Sequence, residues 1–369
     1  MICLKVRYDE RNTMFSRVRL KPNTEHYKTY YNDKPDLKAV DDALRLKAIR
    51  DGLRASDAFK ARFFPLTNHN NAVLKSLHDT VDATPLGKRV NVGRAFATNI
   101  KATAKHYGAA DVGIVKLKAD HYYQAHGGVS EAIGKNNYGA PIVPRYTHAI
   151  VYAIPMALSY INRSPHYESM LETENAYLKI AFTGARLALY LKQLGYKSVF
   201  QSEAYYETPM VPLAYDAGLG QIGMANHIVH PHFGNRIRLG AVLTTMSLEE
   251  DQPIDFNLEA FCKRCALCLM NCPSHSIKPG KRMRNGRPFY RFIDHTCYAM
   301  WLRSGTDCGT CIQSCPFTQG IDLKKVKDAK DNTQALDQLL EEHIQKHSRR
   351  PFVKEPLDIV KLGGDKDGN

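Results

Sequence analysis

Eight of the nine cysteines fall between Cys262 and Cys315. Phe261 to Ser274 reads FCKRCALCLMNCPS, a C-x2-C-x2-C-x3-C-P run. Cys297, Cys308, Cys311 and Cys315, with Pro316 behind them, form a second set, C-x10-C-x2-C-x3-C-P. Thiolates at these intervals ligate cubane iron–sulfur clusters, and in paired runs the fourth cysteine of one run crosses to the other cluster. The spacing therefore predicts two 4Fe–4S clusters. One takes Cys262, Cys265, Cys268 and Cys315, and the other takes Cys272, Cys297, Cys308 and Cys311. The reason is geometric: a tight loop aims three thiolates inward with its N–H groups facing the cluster sulfurs, and the helix after the proline carries the fourth away. Structural zinc also uses C-x2-C pairs, but it needs neither the C-x3-C-P ending nor a duplicated run. Cys3 has no partner at recognisable spacing and is expected to be a buried or incidental thiol.

Clusters carry electrons and do not by themselves transform a substrate. The rest of the chain must supply a cofactor site for those electrons. The segment before the cysteines offers Gly218-Leu-Gly220-Gln221-Ile-Gly223, a literal G-x-G-x-x-G. A dinucleotide fingerprint follows a strand and has an acidic residue about 20 positions on. Here a helical-looking PLAYDA precedes it, and the first acidic residue downstream is Glu249. The glycines are better read as allowing close backbone approach to another large, flat cofactor. His227, His230 and His232 crowd together, but Pro231 spoils a shared helical face, so they read as loop histidines making ordinary hydrogen bonds. Arg236 and Arg238 alternate at the start of a strand and are expected to share a face, as an anion clamp or a solvated edge.

Several elements must position these residues. DVGIVKL, HAIVYAIP (His148 to Pro155), KSVFQ and IRLGAVLTT (Ile237 to Thr245) read as short strands, and the second is a nearly continuous buried run. Arg94 to Tyr107 reads as a helix stopped by Gly108. Glu172 to Leu194 reads as a long helix with Leu171, Leu178, Phe182, Ala185, Leu189 and Leu194 on its apolar stripe and Gly195 as its stop. Helices alternating with short strands make the class α/β or α+β. Residues 1–90 are basic and weakly patterned, read as an arm with one amphipathic helix from Asp41 to Asp57. Residues 91–250 form the α/β part, and 251–325 a smaller cysteine-, proline- and arginine-rich module. Residues 326–369 form a tail with one helix, Thr333 to His347, and a disordered polar end, GGDKDGN.

The chain resembles the cobalamin-dependent reductive dehalogenase family, whose wider superfamily includes epoxyqueuosine reductase. The matching residues are AGLGQIG, HPHFGNRIRLGAVLTT, DQPIDF, FCKRCALCLMNCPSHSI and DCGTCIQSCPFTQG, across roughly Ala95 to Gly320. The resemblance implies a nitroreductase-like domain holding a base-off corrinoid, beside a ferredoxin-like module with two 4Fe–4S clusters. It implies a proton-donating tyrosine at Tyr177 and a charge-stabilising arginine at Arg238, with Arg236 in reserve, and Arg238 would depress the pKa of Tyr177. Gly218, Gly220, Gln221, Gly223 and Asn226 are the candidate corrinoid contacts. The family's Arg-Asn-Gly-like stretch is replaced here by Met224-Ala225-Asn226-His227. No stretch resembles an export signal. These departures point to a cytoplasmic catabolic or biosynthetic reductase rather than to organohalide respiration; the resemblance implies a small aromatic organohalide as substrate.

Composition sets the remaining bounds. The 369 residues carry 51 Lys and Arg against 37 Asp and Glu, a net charge of +14. No apolar stretch is long enough to span a membrane. A basic surface suits an acidic electron donor such as a ferredoxin or flavodoxin. It also suits tRNA, which is the partner under the alternative reading of an epoxyqueuosine-reductase-like enzyme. A third reading is a non-catalytic electron carrier or corrinoid-reducing protein, against which the large α/β part argues.

Overall fold

The computed structural model describes residues 6–330 and 332–361. Cys3 and the GGDKDGN end lie outside the described residues. The described residues form eight strands: β1 (Asp111–Lys116), β2 (His148–Pro155), β3 (Ser198–Gln201), β4 (Gln221–Ile222), β5 (Ile228–Val229), β6 (Ile237–Thr244), β7 (Ile277–Arg284) and β8 (Arg287–Phe292). Four of them build the central sheet in the order β1-β2-β6-β3, and every neighbouring pair is antiparallel. The mixed fold is therefore of the α+β kind: the helices run between strands, but the sheet has no parallel pair. Ala149 to Ile154 of β2 are buried along their whole length, as the unbroken apolar run required.

A 27-residue helix, Tyr167–Gln193, covers one face of the sheet. It starts five residues before the position its apolar stripe marks, because Tyr167 and Glu168 are themselves buried. Its inner face is made of small residues and leucines: Ala181, Gly184, Ala185, Leu187, Ala188 and Leu191. Phe182, expected on that stripe, points outward and is 49% exposed. The small residues serve Tyr152 of β2. A Cβ on Gly184 would stand 2.5 Å from the Tyr152 hydroxyl, and one on Gly240 of β6 would stand 2.5 Å from its ring. The tyrosine thus lies between two bare backbones and donates its hydroxyl to Ile180 O at 2.8 Å. On the other face, the Met210–Asp216 helix packs on β1, β2 and β6.

The first ninety residues correct the expectation of an arm. Their described part folds into helices at Met14–Arg19, Glu25–Asp33, Pro35–Arg45, Asp57–Phe63 and Asn70–Ala83. The helix expected over Asp41 to Asp57 does not exist as one piece. Pro35 opens an earlier helix at its first position, and Ser56 caps a new one by accepting from Phe59 N. Between them a short turn, Ile49–Gly52, presses on the Asp294–Ser304 helix so closely that a Cβ on Gly52 would meet Leu302 O. Arg17 ties the same regions together, bonding buried Asp41 at 3.0 Å and Asp294 at 2.7 Å.

The cysteine-rich part holds four short helices and the antiparallel hairpin β7–β8. That hairpin escaped the sequence reading, although Asn285-Gly286 at its turn, with φ of 53° and 80°, is a strong hairpin signal. The Thr333–His347 helix is where its periodicity put it, fastened by Asp337 to Arg264 at 2.5 Å. No helix among the described residues is long and apolar enough to cross a membrane.

Candidate functional site

The cysteines gather into two groups of four. Cys262 and Cys265 end the Leu258–Cys265 helix, and Ala266 in a left-handed turn (φ 45°) brings Cys268 round to face them. Cys315 arrives from the second run. All four line one cavity, together with Gly223, His227 and Asn235. Backbone N–H groups of Met224, Leu267 and Phe317 donate to sulfurs of this group. The other group is Cys272, Cys297, Cys308 and Cys311, whose thiols act electrostatically on one another. Left-handed Cys308 and Gly309 (φ 62° and 69°) make its turn. Burial pushes Cys262 and Cys297 up to about 12, so a bound metal core would have to displace their protons. Cys272 is the exception: three backbone N–H groups and Ser274 hold it below the ordinary thiol value.

Among the described residues, no three His, Cys, Asp or Glu side chains close on a single-ion site.

Tyr177 and Arg238 meet, as the resemblance implied. The Arg238 guanidinium stands 5.2 Å from the Tyr177 ring centre. It is braced by Thr173 Oγ1 at 2.8 Å and Asp307 Oδ2 at 3.1 Å, while Thr173 donates to the same Asp307 oxygen at 2.7 Å. Asp307 precedes Cys308, so this brace joins the tyrosine to the second cysteine group. Tyr177, Arg238, Glu203 and His227 are enclosed by protein yet keep some solvent exposure, which describes a deep cleft. Three polar atoms there lack a hydrogen-bond partner among the described residues: Arg238 Nε, Asp307 Oδ1 and Glu203 Oε2.

The electrostatics correct one expectation. Burial raises the Tyr177 pKa, and the downward pull of Arg238 does not overcome it. Glu203 and Asp307 push in the same direction as burial. Arg238 therefore limits the rise without reversing it.

Arg236 does not share the cleft. It lies just before β6, outside the strand alternation that would have put it beside Arg238, and its guanidinium donates to Met156 O at 2.6 Å. The glycine segment serves the chain itself. A Cβ on Gly218 would meet Gln252 O at 2.5 Å, and one on Gly220 would meet Val229 O at 2.3 Å. Gln221 Oε1 accepts from Phe256 N at 2.9 Å, and Asn226 bonds Tyr290 N and O at 2.8 and 2.9 Å. Of these candidates for a corrinoid contact, Gly223 alone lines the cysteine cavity.

Of the three histidines, His230 bonds Asp111 at 3.1 Å, an ordinary structural role. His227 differs: it lines the cysteine cavity, and burial and Arg238 lower it to about 4. Sequence reasoning missed Glu203. Burial lifts it to about 7, with Glu174 adding to the rise and Arg238 opposing it. Nothing in the QSEAYY stretch marks it, because its role depends on which strand end it follows.

No family model matches the chain. Tetrachloroethene reductive dehalogenase of Sulfurospirillum multivorans is 31% identical over 203 residues, covering 52% of this chain and 40% of that protein. The chain is a homologue of reductive dehalogenases. The enzyme of the same name from Dehalobacter restrictus is 26% identical over 183 residues, 46% of this chain and 33% of that protein. Epoxyqueuosine reductase of Staphylococcus aureus is 28% identical over 149 residues, 38% of this chain and 35% of that protein. The matches thus span less than half the length of these curated relatives. Among solved structures, the catabolic reductive dehalogenase NpRdhA, in complex with 3-bromo-4-hydroxybenzoic acid, aligns at a TM-score of 0.72 and 19% identity, covering 94% of this chain and 47% of that one. A reductive dehalogenase described as B12-dependent aligns at 0.67 and 21% identity, covering 84% and 46%. These likenesses establish the fold.

Proposed function

We propose that the chain is a corrinoid- and iron–sulfur-dependent reductase that replaces the halogen of a small aromatic organohalide with hydrogen. The observation that carries this is the meeting of Tyr177 and Arg238 in a deep cleft, braced through Asp307 to a group of four cysteines. The eight cysteines would hold two 4Fe–4S clusters, the nitroreductase-like sheet domain would hold the corrinoid over the cleft, and residues 251–325 would form the ferredoxin-like module. The orphaned polar atoms of Arg238, Asp307 and Glu203 are suited to a polar ligand. When bound, the metal groups supply the two electrons that, with one proton, convert a carbon–halogen bond to C–H and halide.

The chain's own residues do the rest. Tyr177, whose proton burial retains at neutral pH, delivers it to the carbon that loses the halogen. Arg238 stabilises the tyrosinate left behind, and Thr173 with Asp307 holds the guanidinium in position. A compartment that keeps thiols reduced, such as the cytoplasm, suits eight unpaired cysteines.

The test is turnover of halogenated phenols and benzoates by the anaerobically reconstituted chain, read as halide release. Halide release lost in Tyr177→Phe with metal content intact supports the assignment. Sequence kinship with epoxyqueuosine reductase favours tRNA as a second reading, and tight, salt-sensitive tRNA binding with no halide release would select it.

A further inference from the structure

The hairpin β7–β8 carries a feature that dehalogenation does not use. Positions 277–292 hold six basic residues and no acidic one. Three are engaged: Lys281 with Glu259 at 2.6 Å, Arg287 with Asp120 and Asp216 at 2.7 and 2.5 Å, and Arg284 over the Tyr8 ring at 3.7 Å. Lys278, Arg282 and Arg291 have no ion pair or hydrogen bond among the described residues. Arg282 stands opposite Phe289 in the strand register, and Arg291 follows on the same face of β8. Phe289 is 37% exposed. The outward face therefore reads basic, aromatic, basic.

This face is rigid. Asn285 at the hairpin tip bonds Val6 N and O at 3.1 and 2.8 Å, and Asn226 clamps Tyr290 on the inner side. It is also close to both cysteine groups. Ile277 at the hairpin root packs on Cys272, and Ser276 N donates to the Cys272 sulfur at 3.3 Å. Tyr290, facing inward, lies within electrostatic reach of Cys262 and Cys268.

We infer that the outer face of β7–β8 is the docking surface for an acidic one-electron carrier protein. The inference rests on the reading that the cysteines hold clusters. One electron leaves the carrier's reduced centre and is gained by an oxidised cluster; no bond or proton moves, and the carrier departs oxidised. Two such visits supply each carbon–halogen reduction, so the contact must be brief. Charge pairing around a small apolar centre suits that, since redox encounters occupy small interfaces. RNA is also polyanionic, but the hairpin carrying the patch packs its root and inner side on the cysteine groups, and only a redox partner gains from that proximity.

The test uses the reconstituted full chain, a reduced acidic plant-type 2Fe–2S ferredoxin as probe, and the variant Lys278→Glu/Arg282→Glu/Arg291→Glu. Ferredoxin affinity by titration calorimetry and the rate of cluster bleaching by stopped flow should both fall at least tenfold at low ionic strength. Added salt should close the gap by weakening the wild type, and dithionite should bleach both proteins equally. A milder Arg282→Gln/Arg291→Gln variant guards against a folding defect and should fall in the same direction. Unchanged affinity and rate in a cluster-loaded variant would overturn the docking site alone. A wild-type chain that takes up no iron would overturn the cluster reading beneath it. Loss of tRNA binding in the variant, with ferredoxin binding unaltered, would give the surface to RNA.

Discussion

The cysteine region and the Tyr177 cleft are built in opposite ways. The eight cysteines lie within residues 262–315, and the local spacing of each run decides where its sulfurs go. The cleft draws Thr173 and Tyr177 from one helix, Glu203 from the end of β3, Arg238 from β6 and Asp307 from a loop in the cysteine region. Thr173 and Asp307, joined by a 2.7 Å hydrogen bond, are 134 residues apart in sequence. A cysteine grouping can thus be read from a motif, whereas the cleft has to be assembled by the fold.

The sharpest way to break this contrast is at Cys315, the one cysteine of the first group that the second run supplies. Cys315→Ser is expected to halve the iron, from about eight to about four per chain, if each group holds a four-iron cluster. Loss of all iron, or none, by metal analysis would show that the two groups are not separate units. In the cleft, Tyr177→Phe is expected to lower halide release by 10²- to 10⁴-fold, the usual contribution of a positioned acid, while leaving iron unchanged. A Tyr177→Phe chain that also loses iron would mean that the cleft and the cysteine groups are one structural unit.

A third prediction concerns buried carboxyls. Glu10, which accepts from Gly127 N at 2.8 Å, and Glu203 are both raised from 4.5 to about 7 by burial. A raised carboxyl keeps its proton in the folded state, so its stabilising contribution is whole below pH 4.5 and lost as pH rises through 7. The melting temperature should therefore decline across that window, and Glu10→Gln and Glu203→Gln should each flatten the decline. A melting curve indifferent to both substitutions would mean these groups are hydrated. The smallest effect belongs to the scaffold. Gly184→Ala would force a methyl against Tyr152 and Phe200, at a cost of about 1–3 kcal/mol by denaturant unfolding.

Legibility followed the same division. The sheet strands, the long helix and the C-terminal helix were readable because each has a strong period and a glycine or cap at its end. The N-terminal helices were not, since their apolar faces are small and cover only parts of other elements; Tyr27, Tyr30 and Tyr31 form a cluster of their own. The G-x-G-x-x-G segment misled for a physical reason: backbone of this chain occupies the space its first two glycines leave open. Arg238 could be placed from its strand, but the burial that outweighs its pull on Tyr177 is a property of the assembled cleft. Glu203 carries no local signature at all.

The central claim is that two cluster sites and a corrinoid site coexist in this chain. It is tested most directly by anaerobic reconstitution with iron, sulfide and cobalamin, followed by metal analysis and electron spin resonance. The account predicts about eight irons and one cobalt per chain, with the cobalt in a base-off Co(II) state. Iron without cobalt would contradict it, leaving Tyr177 and Arg238 as structural residues of an electron-transfer protein.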